Sequence, residues 1–224
     1  MAILTSSLGN LSGKLGNLVF RVRGGKTFVS KAPKKRKNPL SQERMSHAVK
    51  FGAAGKIAGE INSIPELQEI WKKQFKTKKS IFTKIFKSVY IQMEGKFFNK
   101  SGSLVPDYGF KINGRVTVGM NNFLIETEAP SGEGILESGE KSISVVGILV
   151  LAEPGINTVP DIKVEKIISW PPEELKEMDS QTFLFGMSRE LQEAMRIYGK
   201  REFHMHIITR DEKGNIARFS EMIS

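Results

Sequence analysis

Three histidines offer the most versatile chemistry in the chain, and two of them, His204 and His206, stand two residues apart in the run Glu-Phe-His-Met-His-Ile. On an extended strand that spacing points both imidazoles to one face, where they could hold a metal ion. A metal site needs more donors than two. The chain has no cysteine, which removes thiolate zinc sites, disulfides and thiol catalysis, and no spacing nominates a third ligand. The pair therefore reads as ordinary strand residues, and no metal or other cofactor is expected. His47, beside Met45 and Lys50 in helical sequence, faces water.

Other reactive constellations are equally incomplete. Residues 131–142 are rich in Gly, Ser and Glu but lack the G-x-x-x-x-G-K-[ST] spacing of a phosphate loop, and their acids would repel phosphate. Glu173 and Glu174 follow Pro171-Pro172 at what reads as a helix start, where the helix dipole favours carboxylates without acid/base duty. Nothing singles out Glu177 or Asp179. The chain is read as a non-enzyme.

The remaining chemistry is that of surfaces, and it concentrates near the N-terminus. Two β-favouring runs, 18–23 and 26–31, flank Gly24-Gly25, the pair that most easily supplies the positive φ angles of a two-residue hairpin turn. With that loop Val22 faces Thr27, Phe20 faces Val29 and Leu18 faces Lys31. Leu18, Phe20, Val22 and Val29 then share an apolar face, while Arg21, Arg23 and Lys26 lie opposite around Phe28. Such a hairpin is marginal alone in water, so it must cover its own domain, pair with a sheet edge or lie on a neighbour. The strap that follows, Lys31-Ala-Pro-Lys34-Lys35-Arg36-Lys37, is extended and exposed, and its cations together with Arg21 and Arg23 could contact phosphates.

Helical patterning comes next. Asn38-Pro39 suits an N-cap and first position, Ser41 is an equally legal cap, and Phe51, Ala54, Ile57, Ala58 and Ile61 form an apolar stripe. Gly52, Gly55 and Gly59 each cost about 1 kcal/mol against alanine, which predicts close packing of another element on the bare backbone they expose. A capping box at Ser63 and Glu66 opens a second helix with Leu67, Ile70, Trp71 and Phe75 inward and a lysine cluster at its end. A third places Phe82, Ile85, Phe86 and Val89 inward and Lys84 and Lys87 outward; its aromatics read as core rather than as base-stacking groups.

After Gly95 the texture turns to short β runs at 110–118, 122–127, 142–151, 162–169, 182–185, 202–209 and 217–222, separated by Gly, Pro and Asn/Asp signals, with a short helix at 188–198. The prediction is an α+β chain. It has an N-terminal β-hairpin arm and basic strap (1–37), a helical segment (38–94) and a C-terminal antiparallel β-sandwich (95–224).

The run Ser12-Gly-Lys-Leu-Gly-Asn17, then Gly25-Lys26, Lys31-Ala-Pro33, and Asn38-Pro39 with Ser41 and Phe51, resembles the opening of a bacterial family of small proteins defined only as a domain of unknown function. The stretches 144–154 and 205–223 are similar to that family's last strands. The family's usual glutamine falls at Arg44 here and its nearby arginine at Ala48. The resemblance implies an immunoglobulin- or fibronectin-like sandwich and no particular activity.

Charge is distributed unevenly. Residues 1–100 hold 21 Lys/Arg against 5 Asp/Glu, and residues 101–224 hold 13 against 19, within a net charge of +10. A bipolar chain can be steered towards nucleic acid or towards the acidic half of the next identical subunit. The start of the chain has neither a basic n-region nor an unbroken apolar core, and no apolar run reaches a membrane-spanning length. The expectation is cytoplasmic synthesis without a signal peptide or membrane span, with an extracellular filament or a virus-like particle as a possible final location. Three functions fit: a self-assembling structural protein such as a filament or virion component, a nucleic-acid-binding protein using the basic N-terminal half, and an adhesion or ligand-binding module.

Overall fold

Gly24 and Gly25 both take left-handed backbone, with φ of 56° and 71°, and close the hairpin that their lack of a Cβ permits. The computed structural model describes residues 2–4, 12–33, 41–75, 80–99, 102–107, 109–128, 139–155, 160–169, 172–174 and 180–223, in two compact units, 1–41 and 42–224.

The N-terminal unit is a four-stranded antiparallel sheet. Strands β1 (Ala2–Leu4), β2 (Gly13–Leu15), β3 (Leu18–Arg23) and β4 (Lys26–Lys31) lie in the order β1-β4-β3-β2. The β3–β4 register pairs Leu18 with Lys31, Phe20 with Val29 and Val22 with Thr27, as a two-residue loop dictates. The hairpin expected from the sequence is thus the middle of a larger sheet, widened by two strands of three residues each.

The second unit begins with three helices, α1 (Gln42–Ser63), α2 (Pro65–Gln74) and α3 (Ile81–Gln92), and a small hairpin of β5 (Met93–Glu94) and β6 (Phe97–Phe98). Strands β7 (Gly114–Val118), β8 (Asn122–Thr127), β9 (Glu140–Pro154), β10 (Ile162–Ile168), β11 (Glu173–Glu174) and β12 (Gln181–Gly186) follow. Then come α4 (Arg189–Ile197), β13 (Tyr198–Asp211) and β14 (Ile216–Phe219). One sheet runs β10-β9-β13-β14 with β11 also on β9, and a second runs β12-β8-β7; both are antiparallel.

Strand β9 explains the layering. Its residues 143–152 are buried without interruption, so both of its faces are covered. One face, with Val146, Ile148 and Val150, joins Ile57, Ile61, Leu67, Trp71, Ile85 and Val89 of the helices in one core. The other, with Val145, Leu149 and Leu151, meets Phe123, Ile125 and Phe183 of the second sheet, and Phe203, Met205 and Ile207 of β13 lie on the same side. Helices, large sheet and small sheet are three stacked layers. The boundary expected near residue 94 therefore falls inside one unit, because the helices and the large sheet share a core.

Several local expectations change. Ser63 does not cap α2: its hydroxyl donates back to the Glu60 carbonyl at 2.7 Å, and the N-cap position is Ile64, with Pro65 opening the helix. Glu173 and Glu174 form a strand rather than a helix start, pairing with Ile143 and Ser142. In α1 the stripe of Ala54, Ile57, Ala58 and Ile61 is buried, but Phe51 is 59% exposed. The short helix before β13 carries a true cap, with Ser188 Oγ accepting from the Leu191 N–H at 3.2 Å.

Candidate interaction surfaces

The two faces of the N-terminal sheet differ sharply. Strand alternation and the observed pairings put Leu15, Leu18, Phe20, Val22 and Val29 on one face. Leu15 is 72% exposed, Leu18 40% and Val22 41%, while Phe20 and Val29 are half-buried. The opposite face holds Lys14, Arg21, Arg23 and Lys26 around half-buried Val19 and Phe28. Among the described side chains of this unit only Thr27 is buried, on the apolar face opposite Val22, while Leu15, Leu18 and Val22 of that face stay exposed. Leu15 extends the face read from the sequence, and the short run Gly13-Lys14-Leu15 gave no strand signal of its own. Lys34, Lys35, Arg36 and Lys37 lie outside the described residues, as do Asn38-Pro39, Glu177, Asp179 and most of the 131–142 loop.

The glycines of α1 do not pack as expected. A Cβ built on Gly52, Gly55 or Gly59 meets no heavy atom within 4 Å, so no described element of this chain lies against them. The buried stripe runs along the other side of the helix, through Ala53, Ala54, Ile57, Ala58 and Ile61. Beside the glycines, Phe51 packs edge-on to Phe86 at 4.9 Å, and Phe82, Phe86 and Tyr90 stack in succession along α3. Lys50 sits 4.7 Å over the Tyr90 ring, and His47 Nδ1 lies 3.3 Å from the Tyr90 hydroxyl.

The histidine pair is structural. His206 is fully buried: Nδ1 donates to the Ser220 carbonyl at 2.8 Å and Nε2 accepts from the Leu104 N–H at 3.3 Å. Burial is the main reason its pKa falls from 6.5 to about 4, outweighing the hydrogen bond to Ser220. Ser103 Oγ stands 3.5 Å from the same Nε2, but the nitrogen is already engaged and no solvent reaches it, so this is no nucleophile–base pair. His204, also buried, packs edge-on against Phe98, and Glu202 Oε2 approaches its Nε2 to 3.3 Å outside hydrogen-bonding geometry. No cluster of three metal-ligating side chains occurs among the described residues.

The small sheet carries an open polar groove of about 400 Å³ lined by Asn113, Arg115, Glu126, Glu128 and Thr182. These side chains are exposed, and Asn113 Nδ2 donates to Glu128 Oε2 at 2.8 Å. Nearby, Leu184 is 67% exposed, and Met120 in the β7–β8 turn 93%. No helix among the described residues is long and apolar enough to cross a membrane. No family model matches this chain, and no curated protein is detectably similar to it.

Proposed function

We propose that this chain is a non-enzymatic structural protein that self-assembles, its N-terminal sheet docking on a neighbouring subunit through Leu15, Leu18, Phe20, Val22 and Val29. The observation that carries this reading is a four-stranded sheet that leaves Leu15, Leu18 and Val22 of its apolar face exposed. Exposed apolar surface of this kind is costly in water and is stabilised by burial against a partner. A second copy is the occupant that charge favours: residues 1–41 carry nine Lys/Arg and no acid, while residues 101–224 are net acidic. In this reading the two packed sheets of the second unit are an immunoglobulin- or fibronectin-like body, and the assembly is a filament or a virus-like particle.

The test is Phe20→Asp with Val22→Asp. These changes should leave the circular dichroism of the second unit's helices and strands in place and abolish large particles in sedimentation and electron microscopy. A wild-type protein that stays monomeric at high concentration, or a variant that still assembles, would defeat the reading.

A second reading, nucleic-acid binding, draws on a different observation: Lys14, Arg21, Arg23 and Lys26 share the opposite face of the same sheet with Phe28. Cations around an aromatic ring suit phosphates and a stacked base. The salt dependence of binding tests it.

A further inference from the structure

The small sheet ends on one side at strand β12. Strand β12 pairs with β8 and with no other strand among the described residues. The ladder continues past the strand where the Met187 N–H donates to the Asn121 carbonyl at 2.8 Å. Hydrogen-bonding direction alternates along an antiparallel strand, so Gln181, Phe183, Phe185 and Met187 bond to β8. Thr182, Leu184 and Gly186 therefore aim their N–H and C=O groups away from it, and all three residues are exposed.

Proteins blunt such edges with charge, proline, bulges or brevity. The other edges of the large and small sheets follow that rule: β10 carries Lys163, Glu165 and Lys166, β7 carries Arg115, and the short β14 carries Arg218. Strand β12, Gln-Thr-Phe-Leu-Phe-Gly, has six residues in regular register with no charge and no proline. Among the described edge strands of these two sheets it is the one without a charged residue.

We propose that β12 is a homodimer seam, pairing antiparallel with β12 of a second copy about a two-fold axis at Leu184. A two-fold contact brings each residue near its own counterpart's neighbours, so a charged strand would meet like charge, and β12 has none. The register follows from the faces. Centring on Leu184 sets Phe183 opposite Phe185 of the other copy, both core-facing, and Thr182 opposite Gly186, both outward; a shift by one residue would set the outward N–H and C=O groups opposite residues whose own groups bond to β8. Phe183 is 1% exposed and Phe185 stacks on Phe123 at 4.9 Å, so those rings are already committed inward. Outside, the cross-strand row Leu124–Leu184 continues into the same row of the partner, covering the exposed Leu184. The seam joins two three-stranded sheets into one continuous sheet.

The experiment is run on the full chain carrying Phe20→Asp and Val22→Asp, so that docking by the N-terminal sheet does not contribute. The expected result is a concentration-dependent dimer in sedimentation. Thr182→Pro removes an edge-facing donor and leaves the β8 ladder intact, so it should weaken the dimer by about tenfold or more. Because the chain has no cysteine, Leu184→Cys gives a single thiol, which should oxidise to a covalent dimer while Thr117→Cys, on the same outer face at β7, stays monomeric. A monomer at every concentration, a dimer indifferent to Thr182→Pro, or cross-linking at Leu184→Cys no greater than at Thr117→Cys would overturn the seam.

Discussion

At the scale of single residues, His206 couples the fold to pH. Its imidazole is held neutral in the core, with a pKa of about 4 against an ordinary 6.5. As pH falls below about 6.5 the unfolded chain takes up a proton that the folded chain refuses until about 4. Its stabilising contribution is therefore complete above about pH 6.5 and is lost between there and 4, a loss approaching ~3 kcal/mol from this group. The urea midpoint should fall over that interval, and His206→Gln should flatten the slope while lowering stability at neutral pH. An unchanged slope in the variant would mean that other groups carry the acid sensitivity. Gly147 is constrained in another way: a Cβ there would stand 2.3 Å from the His204 carbonyl oxygen, so β9 and β13 approach as closely as they do only because the position is bare.

At the scale of elements, α1 is the one whose composition its surroundings do not explain. Its glycines weaken the helix, and nothing described lies against them. Alanine at Gly52, Gly55 and Gly59 should therefore stabilise the isolated subunit by up to about 1 kcal/mol each, read as a rise in thermal midpoint. A fall instead would mean that the added methyl groups meet something absent from this chain's described residues. Strand β9 is the opposite case, since its unbroken apolar run and its burial on both faces agree. Between the helices and the large sheet, Arg210 Nη2 donates to Glu66 Oε1 at 3.2 Å with both side chains largely buried, tying α2 to β13.

At the scale of the whole molecule, charge separates the two units. The nine cations of residues 1–41 have no acid among them, and four of these cations lie in the strap at 34–37. If this region binds phosphates, duplex binding should show no sequence preference and fall steeply between about 50 and 200 mM salt through counterion release. Replacing Lys34, Lys35, Arg36 and Lys37 by serine should shallow the dependence in a fluorescence-anisotropy titration. Absent binding at low salt would leave attraction to acidic neighbours as the role of this charge.

The local pattern alone determined much of this protein. Gly24-Gly25 and the alternation around it fix the hairpin register, the β8 span 122–127 follows from its residues, and the periodicity of Leu67, Ile70 and Trp71 marks the buried face of α2. Those features depend on neighbours a few positions away. Only the tertiary structure decided that the helices cover the large sheet, because the apolar run of β9 reads the same whether its second face meets a helix or a strand. Phe51 likewise fits the apolar period of α1 yet stays exposed, since helical spacing gives the angle around an axis and not which neighbour fills it. The open edge of β12 was invisible for the same reason: a run of β-favouring residues specifies a strand, but whether its outer hydrogen bonds find a partner is settled by the order in which distant strands come together.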